Sequence, residues 1–346
     1  MKKILLLLAG LLISVSAFSQ TNLQTAAIVN LIRSEPITVG QLRTEVDRMQ
    51  TMAGRPMNQA ERRQILDIMI NERLVLQAAE RDRIIVTDNE INQHFQQLRN
   101  MLAQNIGRQP TDAEFTQAVM NEFGMDVQAY REQTRRQLIM EKYLISKKGD
   151  TINGIKPPTD AEITNEYNLL RGELVRPDTV RFSMIQVPYG PDAASRTKAK
   201  ELADRLAREI GTNPSRFDEV AARGVAPNSG YLAGDAGFLP RNQEARNLVG
   251  QELMNTAFSL NQGQVSRLIE GVQGFHIIKI TESYTQKNLE LTDIIQLGTR
   301  ITVKDFIGQR MMEQRQQSTL AQVTQEMISE LRSSRSFQVM ENNLNW

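Results

Sequence analysis

The stretch Gly271-Val-Gln-Gly-Phe-His-Ile-Ile-Lys-Ile280 decides the fold of the second half of the chain. Its two glycines predict a tight turn, because glycine adopts positive φ without a Cβ clash. The aromatic and β-branched run that follows them is typical of a buried strand. Residues Gly263–Glu270 supply a partner strand, so the sequence predicts a hairpin with His276 inside its second strand.

The residues upstream of this hairpin predict a compact α+β module of about 100 residues, an ordinary size for a domain. Apolar periodicity predicts a strand at Val180–Pro188 and helices at Asp192–Ile210 and Gln251–Leu260. A second glycine cluster, Ala233-Gly-Asp-Ala-Gly-Phe238, lies between the helices. The dipeptide Arg176-Pro177 marks a linker before the module.

The segment before the module is predicted to be mostly helical. Asn58–Ala79 has apolar residues spaced by three and four over several turns. Three capping boxes open further helices, at Thr87–Glu90, Thr111–Glu114 and Thr159–Glu162. Ahead of these helices, Ala26–Ile32 is a candidate strand without an obvious partner.

The segment after the module is too sparse in apolar residues for a separate domain. It predicts a short strand at Leu289–Leu297, a long helix at Thr302–Ser333 and a last strand at Phe337–Met340. A helix of that length, about 50 Å, cannot bury itself alone, so its two apolar ends must dock elsewhere. We expect the last strand to pair near Ile28, which joins the two chain ends in one domain.

These elements predict an α+β fold in which a mostly helical domain, built from both chain ends, contains an inserted α+β module. The expected divisions are a signal segment, an N-terminal helical domain, the module and a C-terminal strand–helix–strand that completes the N-terminal domain. Their boundaries are 1–19, 20–175, 178–283 and 284–346.

The first nineteen residues have the features of a secretory signal peptide. Lys2 and Lys3 form the basic end, Ile4–Val15 the apolar run and Ala17-Phe-Ser19 the cleavage site. The apolar run is too short to span a bilayer, so we expect cleavage and no membrane anchor; an uncleaved anchor is the alternative.

Composition excludes several classes of function. The chain has no cysteine and only two histidines, so a thiolate metal site is impossible and a zinc site is not expected. Its formal net charge is +1, which favours neither nucleic acid nor an anionic membrane surface. A nucleotide-binding loop is absent from the sequence, and we expect no cofactor.

The module resembles parvulin-type (PpiC-type) peptidyl-prolyl isomerase domains along its whole length. The similar stretches, in order, are Arg181–Pro188, Gly234-Asp-Ala-Gly-Phe238, Ala257-Phe258, Gly263–Ser266 and Gly274–Ile278. Such domains lower the barrier to rotation about the prolyl peptide bond, which is about 18–20 kcal/mol. A dry pocket shaped to the twisted bond is sufficient for this chemistry, and no covalent step is needed.

The resemblance also implies site residues. It places a proline pocket at Phe238, Val249, Leu253 and Phe258, which are alternatively part of the core. His276 is the candidate catalytic residue, but relatives pair it with a histidine where this chain has Met184, and a thioether cannot replace an imidazole. Relatives also carry a cysteine or aspartate in the loop before the glycine cluster, and the nearest positions in this chain are Pro227 and Asn228. His276 is therefore either a remnant of the catalytic pair or a structural residue, and isomerase activity is expected to be weak or lost.

The whole arrangement resembles the SurA-type periplasmic chaperones, including the opening Ile28-Val-Asn30 and Pro36-Ile-Thr-Val-Gly-Gln-Leu42. One parvulin module stands in place of the two that some members carry. The resemblance implies an ATP-independent periplasmic chaperone whose partners are unfolded polypeptides, with outer-membrane proteins as the expected clients. The alternative is an active peptidyl-prolyl cis-trans isomerase that assists the folding of exported proteins.

Overall fold

The computed structural model of the protein places most of the chain. The residues it describes are 22–224, 226 and 229–346. The predicted signal peptide, residues 1–19, and the two loop positions Pro227 and Asn228 lie outside them.

The chain forms two compact units. One contains the residues up to Lys156 and those from Arg315 onwards, and the other is Pro157–Gln314. The predicted divisions at residues 175 and 284 thus differ from the observed ones. Residues 157–175 and 284–314 belong with the α+β module because they share a small core of Ile163, Leu174, Leu289, Val303 and Ile307.

Strands and helices are numbered along the chain. In the first unit they are β1 (Thr25–Asn30), β2 (Ser34–Thr38), α1 (Val39–Ala53), α2 (Gln59–Arg81), α3 (Asp88–Ile106), α4 (Asp112–Phe123) and α5 (Val127–Asn153). In the second they are α6 (Asp160–Leu170), β3 (Val175–Arg176), β4 (Thr179–Pro188), α7 (Ala193–Ile210), α8 (Pro214–Gly224), β5 (Leu232–Pro240), α9 (Gln243–Val249), α10 (Gln251–Ser259), β6 (Ile269–Glu270), β7 (Gly274–Tyr284) and β8 (Lys287–Asn288). Helix α11 (Val303–Ser333) begins in the second unit and ends in the first, where β9 (Phe337–Val339) follows it.

A three-stranded sheet joins the two ends of the chain in the first unit. Its order is β2-β1-β9, with both pairs antiparallel. Ala27 lies opposite Val339 and Val29 opposite Phe337. Both Ala27 and Val29 are fully buried against α2, where Leu66, Ile70 and Leu74 form the centre of the core.

The three capping boxes that the sequence predicts are present at the N-termini of their helices. Thr87, Thr111 and Thr159 each accept a hydrogen bond from the backbone N–H three residues on, and a glutamate at that position accepts one from the threonine N–H. Each box satisfies donors that a helix start leaves without intrahelical partners. The predicted strand at the start of the chain is present, but the sequence reasoning missed β2, which pairs with it.

Helix α11 has the two apolar ends that the sequence predicts. Val303 and Ile307 are fully buried in the core of the second unit. Met327 and Leu331 pack into the core of the first. Between the two ends, residues 313–319 are polar and rich in glutamine. One continuous helix therefore contributes to two separate cores.

The second unit is built on a four-stranded antiparallel sheet of order β5-β4-β7-β6. Side chains alternate across the sheet, so it has two apolar faces. Ile185, Val187 and Ile277 face α7 and α8. Ile278 and Ile280 face the other way, towards α9 and α10. The predicted α+β fold class is confirmed.

Two predicted strands differ from the structure. The predicted partner strand 263–270 is reduced to β6, because the Ser266 hydroxyl accepts the Ile278 N–H that a regular ladder would use. The predicted strand Leu289–Leu297 is a series of turns. There Asp293 accepts a hydrogen bond from the Glu290 N–H and bends the chain back towards the start of α11.

Candidate functional site

The turn between β6 and β7 depends on close contacts and not on unusual backbone angles. Gly271 donates its N–H to the Gly274 carbonyl at 2.8 Å, and neither glycine has a positive φ. A Cβ on Gly274 would lie 2.4 Å from the Val187 carbonyl oxygen. A Cβ on Gly271 would lie 2.6 Å from Nε2 of His276. The sequence therefore identified the correct glycines, but the reason for them was wrong.

His276 lies on β7, opposite Gln186 on β4. Alternation along the strand places its ring on the same face as Ile278 and Ile280, beneath α9 and α10. Its side chain is 6% exposed, and Nδ1 has no hydrogen-bond partner among the residues that the structure describes. Burial lowers the pKa of His276, because a charged imidazolium is disfavoured in an apolar setting.

This burial predicts a pH-dependent stability of the second unit. An unfolded chain takes up the His276 proton near pH 6.5, while the folded chain takes it up only at lower pH, so stability falls as pH drops below about 6.5. If the unfolded state binds one more proton than the folded state, the free energy of unfolding falls by about 1.4 kcal/mol for each pH unit. Urea unfolding at pH 7.5 and 5.5, followed by hydrogen exchange of the β7 amides, should show that the second unit is less stable at pH 5.5. The His276→Leu variant should show a smaller difference between the two pH values.

Carboxylates with lowered pKa act outside this pH window. In the same unit, Arg181 and the Gly237 N–H lower the pKa of Asp235, so its stabilising contribution is lost only as pH falls below about 3.8. An unchanged pH dependence in the His276→Leu variant between pH 7.5 and 5.5 would show that His276 is not the responsible group.

Met184 occupies the position at which the resemblance expects a second histidine. It lies on β4 opposite Ile278 and packs into the apolar cluster beneath α9 and α10. On this face the neighbours of His276 along β4 and β7 are therefore Gln186, Met184 and Ile278. The sheet holds a buried imidazole next to a thioether and an amide, and not the imidazole pair that the catalytic members carry.

Three of the four predicted pocket residues lie together. Leu253 is buried and Val249 and Phe258 are partly buried in the cluster that contains Met184. The Arg241 guanidinium lies 5.3 Å from the centre of the Phe258 ring. This apolar face is the candidate site for a prolyl segment, although its side chains also serve as core.

The structure does not place Phe238 with these three residues. Its neighbour Leu239 belongs to the cluster beneath α9 and α10, so Phe238 points to the other face of β5. There its ring lies 6.1 Å from Tyr284 and under the Arg181 guanidinium at 5.1 Å. It lines a separate cavity of about 410 Å³ with Pro177 and Ile295.

The glycine cluster 233–238 has a structural role that the sequence reasoning missed. Asp235 accepts hydrogen bonds from Arg181, the shortest at 2.6 Å, and from the Gly237 N–H at 3.1 Å. The Arg181 contact lowers the pKa of Asp235. Arg181 also binds Glu282 at 2.9 Å, so one arginine joins β5, β4 and β7. The available signal was a single arginine in β4 together with a single aspartate in β5.

The described residues contain no group of three or more histidine, aspartate or glutamate side chains that could hold a metal ion. None of the helices that the structure describes combines the length and the hydropathy needed to cross a bilayer.

Comparisons with known proteins identify both parts of the chain. Residues 183–282 match the family model described as the PPIC-type PPIASE domain, and residues 1–144 match the SurA-like N-terminal domain. The Chaperone SurA of Saccharophagus degradans is 27% identical over 270 residues, covering 74% of this chain and 57% of that protein. The Foldase protein PrsA of Clostridium botulinum strain Hall is 22% identical over 297 residues, covering 84% and 77%.

A solved structure is also similar. It is reported for PEB4 and Cj1289, two structurally related SurA-like chaperones of Campylobacter jejuni, and is 14% identical, covering 91% of this chain and 99% of that chain with a TM-score of 0.39. The chain spans little more than half the length of the SurA relatives that it matches. Along the chain, a match to the SurA-like N-terminal domain is thus followed by a match to the PpiC-type peptidyl-prolyl isomerase domain.

Proposed function

We propose that this protein is an ATP-independent chaperone that binds unfolded polypeptides, and that its isomerase domain serves mainly in binding. The SurA and PrsA relatives, named as chaperone and foldase, support a role in protein folding. Exported proteins of the periplasm, with outer-membrane proteins among them, are the proposed clients. The helical domain formed by both chain ends is the proposed chaperone domain.

One observation supports the binding part of this proposal: among the described residues, the apolar cluster at the candidate site contains Met184 where the resemblance implies a second histidine. Val249, Leu253 and Phe258 form one apolar cluster, and Met184 packs into it. Catalysis requires interactions that are stronger with the twisted bond than with the planar one. The thioether of Met184 cannot form the imidazole pair that the resemblance implies, whereas the apolar surface still favours proline-containing and other apolar segments.

Exposed apolar side chains on the helical domain fit a surface for varied clients. Met101, Ile106 and Met120 lie on α3 and α4 and are each more than 40% exposed. Methionine is flexible and polarizable, which suits partners of different shape. Each such contact is weak, so binding would depend on several of them at once.

The second candidate function is an active isomerase, and a direct assay separates the two. In a protease-coupled assay with a prolyl tetrapeptide, we expect the full-length protein to accelerate isomerisation at least 100-fold less than an active parvulin, on the scale that acid–base groups contribute to catalysis, about 10²–10⁴-fold. A rate equal to that of the active parvulin would overturn the proposal that the domain serves mainly in binding.

A further inference from the structure

Residues 341–346 lie outside the sheet of the first unit. Met340 donates its N–H to the Ala26 carbonyl at 2.9 Å, and the chain then forms a 3-10 turn at Glu341–Asn343. Side chains hold the segment beyond it. Gln59 donates to the Asn345 side chain at 3.2 Å. Such a segment can open locally without loss of the sheet.

Two arginines lie over the ring of Trp346. The guanidinium carbon of Arg43 lies 4.7 Å from the ring centre and that of Arg62 lies 4.8 Å from it. Tryptophan is the aromatic residue that attracts cations most strongly. Arg62 also donates to the Trp346 backbone carbonyl. Arg43 and Arg62 come from α1 and α2, so two helices of the folded unit contribute a clamp of two guanidinium groups for an aromatic ring.

The contact between Trp346 and its clamp is incomplete. The indole Nε1 is buried and has no hydrogen-bond partner in the described part of the chain. A buried donor without a partner weakens the bound state. Beside the ring lies a cavity of about 280 Å³, lined in part by Leu42, Ala60 and Leu344. The groove therefore has free apolar space as well as the clamp.

We propose that this groove is a binding site for an aromatic side chain of an unfolded polypeptide, and that Leu344–Trp346 occupies it as a displaceable internal ligand. The proposal rests on the proposed chaperone function for the kind of partner. The clamp that holds an indole would hold the ring of a client in the same way. The unsatisfied Nε1 and the small number of hydrogen bonds that join residues 344–346 to the rest of the unit make the exchange possible.

Displacement can be measured on the unaltered protein, because Trp346 is its only tryptophan. The probe is the peptide Glu-Asn-Asn-Leu-Asn-Phe, which carries an aromatic residue but no indole. We expect it to shift Trp346 emission to longer wavelength and to increase acrylamide quenching, both saturably. The matched peptide with alanine in place of phenylalanine should do neither. No change at millimolar peptide, or the same change with both peptides, would overturn the proposal.

A second measurement uses the Trp346→Ala variant, in which the groove is vacant. If the internal segment occupies the groove about 90% of the time, its removal should tighten binding of a fluorescein-labelled Asn-Leu-Asn-Trp peptide roughly tenfold. Adding Arg62→Gln should reverse that gain. Equal affinity of the unaltered protein and Trp346→Ala would contradict the proposal.

The experiments test the proposed chaperone function and the proposed groove independently. Suppression of client aggregation is measured on the same preparations. If both peptide experiments fail while aggregation is still suppressed, only the groove proposal is wrong. If the peptides bind as expected and aggregation is not suppressed, the chaperone function is wrong and the aromatic site remains.

Discussion

Gly274→Ala is expected to destabilise the second unit by roughly 3–5 kcal/mol, at the upper end of single-residue effects. The added Cβ would lie 2.4 Å from the Val187 carbonyl oxygen and 2.9 Å from the Pro188 Cα. Both are backbone atoms of β4, the central partner of β7, so no side-chain rotation can relieve the overlap. The two strands would have to separate at the turn that positions His276. Hydrogen exchange of β7 amides under increasing urea measures the loss.

Gly172→Ala is the matched control in the same unit. A Cβ at Gly172 meets no atom within 4 Å, and its φ is not in the left-handed region. We expect a change within about 0.5 kcal/mol, because surface substitutions of this kind leave packing intact. Equal stability of the two variants would show that the approach of β4 to the turn is not as close as the structure places it.

Gln77→Leu is expected to destabilise the first unit by roughly 2–4 kcal/mol, since it leaves two backbone donors without partners. Gln77 is fully buried on α2. Its Oε1 accepts the N–H groups of Leu31 and Ile32 at 3.0 and 3.1 Å, and its Nε2 donates to Glu35 at 3.1 Å. The side chain thus fixes the turn between β1 and β2. Hydrogen exchange of the α2 amides under increasing urea measures the loss, because Gln77 lies on this helix in the core of the first unit.

Gln104→Leu provides the comparison for this variant. Gln104 is exposed on α3, and the same substitution there removes no buried hydrogen bond. We expect it to change the free energy of unfolding by less than about 0.5 kcal/mol. If Gln77→Leu were equally mild, water would have to replace the amide at Leu31 and Ile32, and the turn would not depend on Gln77.

The fold was predictable where a local pattern has one physical solution. The capping boxes at Thr87, Thr111 and Thr159 fix helix starts, since threonine and glutamate at that spacing satisfy orphan donors reciprocally. The two apolar ends of α11 likewise predicted two docking places, because each apolar stretch must be buried. Contacts between residues far apart in sequence were harder to predict. The ladder position of Ser266 and the turn at Asp293 depend on side chains that replace backbone partners, and apolar periodicity does not report them.

The site was predictable only in part. The structure brings Val249, Leu253 and Phe258 into one cluster and places His276 on the same face of the sheet, while their role in a site stays a prediction. The resemblance put Phe238 in the same pocket, but its side chain lies on the other face of β5. The register shifts in the pairing of β4 with β5 and β7 are not visible in the sequence, and they change which residues share a face. The clamp around Trp346 was also missed, because Arg43, Arg62 and Trp346 are far apart in sequence and come together only through the β1–β9 pairing.

Light scattering measures whether this protein binds unfolded chains without ATP. A β-barrel outer-membrane protein unfolded in urea is diluted into buffer without nucleotide, alone or with an equimolar amount of this protein. We expect scattering to be largely suppressed, and a folded protein of similar size without chaperone activity to have no such effect. Full aggregation in the presence of equimolar protein would show that the proposed chaperone function is wrong.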